Sequence, residues 1–124
     1  MAAPNILNVS SIIGKTTAVT LGTTGATNIL SNASGSNKVF KVNSIVAANI
    51  DGTNNASITL NYYSAANAGG TGTSLAFTVV VPADASLVLL DKNSFLYLEE
   101  DKSLGAIASA ANDISIVCSY EEIS

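Results

Sequence analysis

Apolar residues in this chain come in short runs, most of them alternating with polar ones and separated by Gly, Asn, Ser and Asp. That is the pattern of strands buried on one face and joined by tight turns. Residues 5–13 read as a first strand, Gly14-Lys15 as a turn, and Thr16–Leu21 as a second strand. Gly22 and Gly25 mark a loop before a short strand around Thr27–Leu30, and Ser31–Asn37 is a polar turn. Residues 38–50 predict a longer strand, with Phe40, Val42, Val46, Ala48 and Ile50 on one face and Lys41, Asn43 and Asn49 on the other. Ile45 breaks the alternation, so a bulge or a second buried face is expected near Ser44.

After the turn 51–55, residues 56–63 alternate cleanly: Ile58, Leu60 and Tyr62 face in, while Ser57, Thr59, Asn61 and Tyr63 face out. The small, low-complexity stretch 64–73 reads either as a projecting contact loop or as a plain hairpin tip. Leu75, Phe77, Val79 and Val81 share one face of the next strand, which Pro82-Ala83-Asp84 ends. Leu87–Leu90 and Phe95–Leu98 are apolar on both faces, as a central, doubly covered strand would be. Glu99–Lys102 is a polar turn, and Leu104–Ser109 and Ile114–Tyr120 complete the set, with Ile114, Ile116, Cys118 and Tyr120 pointing together. No stretch holds a 3.6-residue apolar period. Eight to nine short strands in one domain, residues 1–124, predict an all-β fold: an antiparallel β-sandwich, with a jelly roll or an up-and-down barrel as its forms.

Composition narrows the chemistry. The 124 residues include no His, no Arg and no Trp, and a single Cys; 48% are apolar and only 11% charged, well under the usual quarter. Five lysines against nine acids give a net charge of -4, which offers phosphates no basic patch, so nucleic acid is not an expected partner. So few charges with a positive mean hydropathy suggest a surface covered by other chains. Met1–Asn5 has no positive region of a signal peptide, and no apolar run nears the ~20 residues of a membrane span. The expectation is a soluble protein made in a cytosol, with no membrane partner.

Candidate sites are correspondingly few. Ser/His/Asp catalysis and the usual zinc sets need His, and Cys118 among Ile114, Ile116, Val117 and Tyr120 reads as a small buried hydrophobe. Glu99, Glu100 and Asp101 are the one concentration of ligating oxygens. Their spacing matches no calcium loop, and neighbours in a strand point to opposite faces. A glycosidase pair is not supported by acids that lie in turns. Asp51-Gly52-Thr53 and Gly69–Gly72 fit no phosphate-cradling motif. No catalytic residue, cofactor or metal site is predicted.

Contacts are the stronger candidates. Residues 1–13 form an arm that either adds as a strand to a neighbouring subunit or serves as the sandwich's own first strand. Tyr63, outward on its strand, suits an interface. The candidate interface residues are Pro4, Ile6, Tyr63, Asn67, Thr71, Tyr120 and Ile123.

Several segments carry a resemblance: Ala2–Ile6, Lys38–Asn43 leading to Ala48–Thr53, Val81–Ala85, Tyr97–Asp101 and Ser119–Ser124. Together they resemble small virion structural proteins of tailed phages that infect marine cyanobacteria. The resemblance implies a β-rich particle component located in the virion and made in the host cytoplasm. Its form would be a capsid decoration (cement) protein, a homo-oligomer such as a trimer, with the major capsid protein as partner. A neck, tail or fibre-attachment component is the alternative on the same particle. A carbohydrate- or receptor-binding β-sandwich using Tyr62, Tyr63 and the 64–73 loop is the alternative of another class.

Overall fold

A computed structural model describes residues 4–124. Nine strands follow one another: β1 Ile12–Thr20, β2 Thr27–Asn32, β3 Val39–Asn49, β4 Ala56–Ala65, β5 Gly69–Val81, β6 Ser86–Leu90, β7 Leu96–Leu98, β8 Lys102–Ala108 and β9 Ile114–Ile123. They form two antiparallel sheets, β1-β9-β3-β6 with β7 also on β3, and β2-β8-β4-β5. β6 and β7 lie end to end along β3, interrupted by a 3₁₀ turn at Lys92–Ser94 that the Asp91 carboxylate caps.

The order is that of a jelly roll. Paired β4–β5, β3–β6/β7, β2–β8 and β1–β9 nest like one long hairpin, and rolling it up adds the β9–β3 and β8–β4 pairs. Only β4–β5 is a hairpin within a sheet; the flanking connections cross between sheets. The core between the sheets is built from their alternating inward residues. Val42, Ile45, Ile114, Ile116 and Cys118 come from the first sheet, and Ile58, Leu60, Leu104, Ala106 and Val81 from the second.

Two buried asparagines tie the sheets together at opposite ends. Asn32 of β2 donates from Nδ2 to the carbonyls of Leu98 and Lys38 at 3.0 and 2.8 Å. Asn49 of β3 donates to the carbonyls of Val81 and Asn54 at 2.9 and 3.0 Å, and its Oδ1 accepts from the Asp51 amide. Each satisfies carbonyls that would otherwise be stranded where the chain crosses between sheets.

Five sequence expectations change. Residues 5–11 are not a strand, and Gly14-Lys15 is no turn but part of β1, where Gly14 sits on an open sheet edge with nothing nearby. The expected bulge exists at Asn43, between Val42 and Ser44 in the register with β9. Because a bulge swaps the faces beyond it, Ile45, Ala47 and Asn49 are the buried set there, not Val46, Ala48 and Ile50. Leu87–Leu90 lies at a sheet edge rather than at its centre. Finally, β5 shifts register three times against β4, and Thr78 takes a φ of 48° at the shift between Ile58 and Leu60. The intended inward row is broken there: Val81 is buried, while Leu75 and Phe77 are exposed.

Candidate interaction surfaces

Around Tyr63 the outer face of the second sheet is covered by its own chain. Tyr63 points outward, as its alternation with Tyr62 requires, yet it is only 7% exposed. Its ring lies over two glycines: a Cβ at Gly72 would meet Cε1 at 2.9 Å, and one at Gly105 would meet Cε2 at 2.8 Å. The ring fills the notches that side-chain-free strands leave. Its hydroxyl accepts from Asn61 Nδ2 at 3.3 Å, and Asn61 Oδ1 accepts from the Ser74 hydroxyl at 2.7 Å. Tyr63 is thus closed within the fold, which corrects its reading as an exposed contact.

The 64–73 stretch is likewise no projecting loop. Asn67 and Ala68 both adopt left-handed φ, 59° and 57°, and turn β4 directly into β5. The tip curls back and is tied down by three amides: Ala66 to Asp101 Oδ1 at 3.3 Å, Asn67 to Ser31 Oγ at 3.0 Å, and Ala68 to Ser103 Oγ at 2.8 Å. Buried Ser103 in turn donates to the Ala65 carbonyl at 2.7 Å. Asp101 of the acidic turn serves this tie, and its own amide donates to the Asn32 carbonyl at 2.8 Å. At the other end of the sandwich Asp51 builds an Asx turn: the Thr53 amide and the Asn54 side chain hold its carboxyl below the ordinary range.

The predicted contact residues are therefore divided. Asn67 and Thr71 are exposed, Ile6 is exposed, and Pro4 is half-exposed. Ile123 is buried beside Val39, and Tyr120 is half-buried and packs on Phe40 with ring centroids 5.2 Å apart, so neither offers the open contact surface expected of it. The topology puts Tyr63, Asn67, Thr71, Tyr120 and Ile123 at one end of the sandwich, where β1 begins and β9 ends. In the arm, Leu7 is 93% exposed, and Ser10 and Ser11 donate backbone bonds to the Ser124 carbonyl. Residues 1–3 of the expected arm lie outside the described residues.

Sequence reasoning missed the outer face of the first sheet. Beyond the row Ile12–Ile123–Val39, whose last two members are buried, the register lays out four rows across it, each read from the edge strand β1 through β9 and β3. One is Gly14–Glu121–Lys41–Tyr97; the next is Thr16–Ser119–Ser44. Then come Ala18–Val117–Val46–Val88 and Thr20–Ser115–Ala48–Ser86. The apolar row is uncovered, with Val117 43% and Val88 58% exposed. The hydroxyls bond each other, Thr16 to Ser119 at 3.3 Å and Thr20 to Ser115 at 3.1 Å. Lys41 reaches over the Phe95 ring, 4.5 Å from its centroid, and Phe95 meets Tyr97 edge-on. A signal for this face was present: its outward strand positions are small or apolar where a solvated sheet places charge.

Cys118 is fully buried, and burial pushes its thiol up to about 12, so it is inert in the folded chain. Among the described residues, no helix is long and apolar enough to cross a membrane, and no three His, Cys, Asp or Glu residues gather as metal ligands.

The fold defines the chain as an all-β jelly-roll sandwich. No protein-family model matches the sequence, and no curated protein does. Solved structures share the fold. A chain from the acid-stable capsid of Helicobacter pylori bacteriophage KHP30 aligns with TM-score 0.54 and 12% identity, over 94% of this chain and 90% of that one. A subunit of the disulfide-linked pili that form Bacillus endospore appendages aligns with TM-score 0.54 and 18% identity, over 92% and 88%.

Proposed function

We propose that this chain is a non-enzymatic structural protein of a phage particle, a capsid decoration (cement) protein that self-associates and staples neighbouring shell subunits. The observation that carries the reading is the jelly roll itself, shared over 94% of the chain with a phage capsid structure. Composition supports it: without His or Arg, and with few charges, the chain offers broad neutral surfaces rather than a reactive centre. A decoration protein that binds only the assembled shell stabilises it by mass action, without chemistry. The likeness to pilus subunits supports a structural role as well. The disulfide linkage of those pili has no counterpart in a chain whose single cysteine is buried.

The test is copy number, read from quantitative gels of purified particles. Hundreds of copies per particle support decoration, whereas about six or twelve place the chain on the neck or tail axis, following ring symmetry. Its absence from particles overturns the reading. The glycan-binding alternative loses its platform, since Tyr63 is covered and the 64–73 hairpin is tied down.

A further inference from the structure

We propose that the outer face of the first sheet is a homodimer interface. It would pack against the same face of a second copy about a two-fold axis running along the strands between β9 and β3. This goes beyond the particle reading and does not depend on it.

Such an axis turns each row end for end onto itself, so β9 of one copy lies over β3 of the other, and β1 over β6. In a two-fold contact every match occurs twice. The charged row then becomes complementary: Glu121 faces the partner's Lys41, and Lys41 faces the partner's Glu121. Within one chain these cross-strand neighbours form no ion pair among the described residues, and Lys41 turns to Phe95 instead. The apolar row becomes complementary in shape. Its β1–β9 half holds a shallow hollow of about 180 Å³ lined by Ala18, Val19, Thr20, Ser115, Ile116 and Val117. Its other half presents Val88, 58% exposed, which the axis places opposite that hollow.

The remaining rows lower the cost of covering the face. Their hydroxyls are paired along the sheet, so burial strands few donors. The four rows carry one Lys and one Glu in a chain of net charge -4, so the repulsive charge lies elsewhere. Four strands at ~4.8 Å spacing and nine residues at ~3.3 Å rise give a footprint of roughly 570 Å² before side-chain relief. That is the order of the ~800 Å² per partner of a standard stable interface. Two such faces stack as sheets do, ~10 Å apart and within about 30° of alignment.

Sedimentation velocity on the full chain tests this, with far-UV circular dichroism confirming that each variant is folded. Wild-type protein should be a dimer at micromolar concentration, and Val117→Lys should raise its dissociation constant ~100-fold or more by burying an unpaired charge. Should Val117→Lys fail to fold, Val88→Lys at the edge replaces it. Lys41→Glu and Glu121→Lys should each weaken the dimer ~10-fold or more through like-charge contact. Mixed in equal amounts, the two charge variants should recover near-wild-type association, because each supplies what the other lacks across the axis. A wild-type monomer at ~100 μM, or a dimer indifferent to Val117→Lys, overturns the proposal. So does a mixture no tighter than its components, or an oligomer broken by Phe77→Lys alone, which would move the contact to β5. A dimer with these properties that is absent from particles sinks the particle reading and leaves this one standing.

Discussion

On the outer side of the second sheet, Tyr63 lies across Gly72 and Gly105, and the hairpin tip 66–68 is tied to Ser31, Asp101 and Ser103. On the outer side of the first, the row Ala18–Val117–Val46–Val88 has no such cover. Both faces belong to the same jelly roll and the same nearly uncharged chain. What separates them is where the chain places its spare side chains and loops. Around Tyr63 the second sheet is closed within the monomer, so the outer residues there act as core, while β5 at its edge keeps Phe77 and Val80 exposed. The first is left flat and neutral, and its outer residues contribute little until something covers them.

The largest expected effect follows from treating Tyr63 as core. Tyr63→Ala should lose about 3–5 kcal/mol, as buried aromatic truncations do, because it opens the notches over both glycines. Val117→Ala on the open face should stay within about 0.5 kcal/mol when measured on the monomer. Urea unfolding of the two variants side by side reads the contrast, and similar losses would erase it. Tyr63→Phe should cost far less than Tyr63→Ala, since it removes only the 3.3 Å bond from Asn61.

Next in size is the reverse experiment, overfilling the covered face. Gly105→Ala would drive a methyl to 2.8 Å from the Tyr63 ring and 3.1 Å from the Thr27 carbonyl, and a backbone neighbour cannot rotate away. A loss of about 1–3 kcal/mol is expected, as for other overpacked sites. Gly72→Ala meets only the ring and the Asn61 side chain within 3.4 Å, so it should cost less. Smaller again is Ser103→Ala, which frees the Ala68 amide and the Ala65 carbonyl. It should lose about 1–2 kcal/mol and speed proteolytic nicking at 66–68, because a tip without its tie opens locally.

These differences explain how far the sequence could be read. Alternation in β4 correctly separates Ile58 and Leu60 from Thr59 and Tyr63. It states a direction and not what lies above the side chain, and Tyr63 is covered by residues distant in sequence whose register no local pattern contains. Ile45 announced the bulge in β3, but a single extra residue reverses every face after it, so Asn49 moved from the surface to the core. Gly14 looks like turn chemistry, yet an edge strand with open space beside it accepts glycine without turning. The outer rows of the first sheet required four strands to be set side by side. Ala18, Val46, Val88 and Val117 sit on four different segments, and each alone is an ordinary exposed apolar residue.

The smallest effect concerns how the open sheet keeps its edge. Two of the three amides that hold the second sheet's hairpin tip donate to hydroxyls, whereas β1 joins the first sheet with help from Glu122, which bridges Lys38 at 2.9 Å and Lys15 at 3.1 Å. The Lys38 bond lowers the Glu122 pKa below its ordinary 4.5; burial opposes this, and Lys15 adds to it. A folded state with the lower pKa binds fewer protons than the unfolded chain. The stabilisation is therefore complete above pH 4.5 and fades as pH falls through that value towards the folded pKa. Wild-type stability relative to Glu122→Gln should be greater at pH 7 than at pH 3, and added salt should narrow the gap because both lysines are partly exposed. In hydrogen exchange, acid should loosen β1 amides before those of Asn67 and Ala68, which donate to hydroxyls. Equal loosening of the two regions would mean that the charge bridge does not distinguish the open sheet from the closed one.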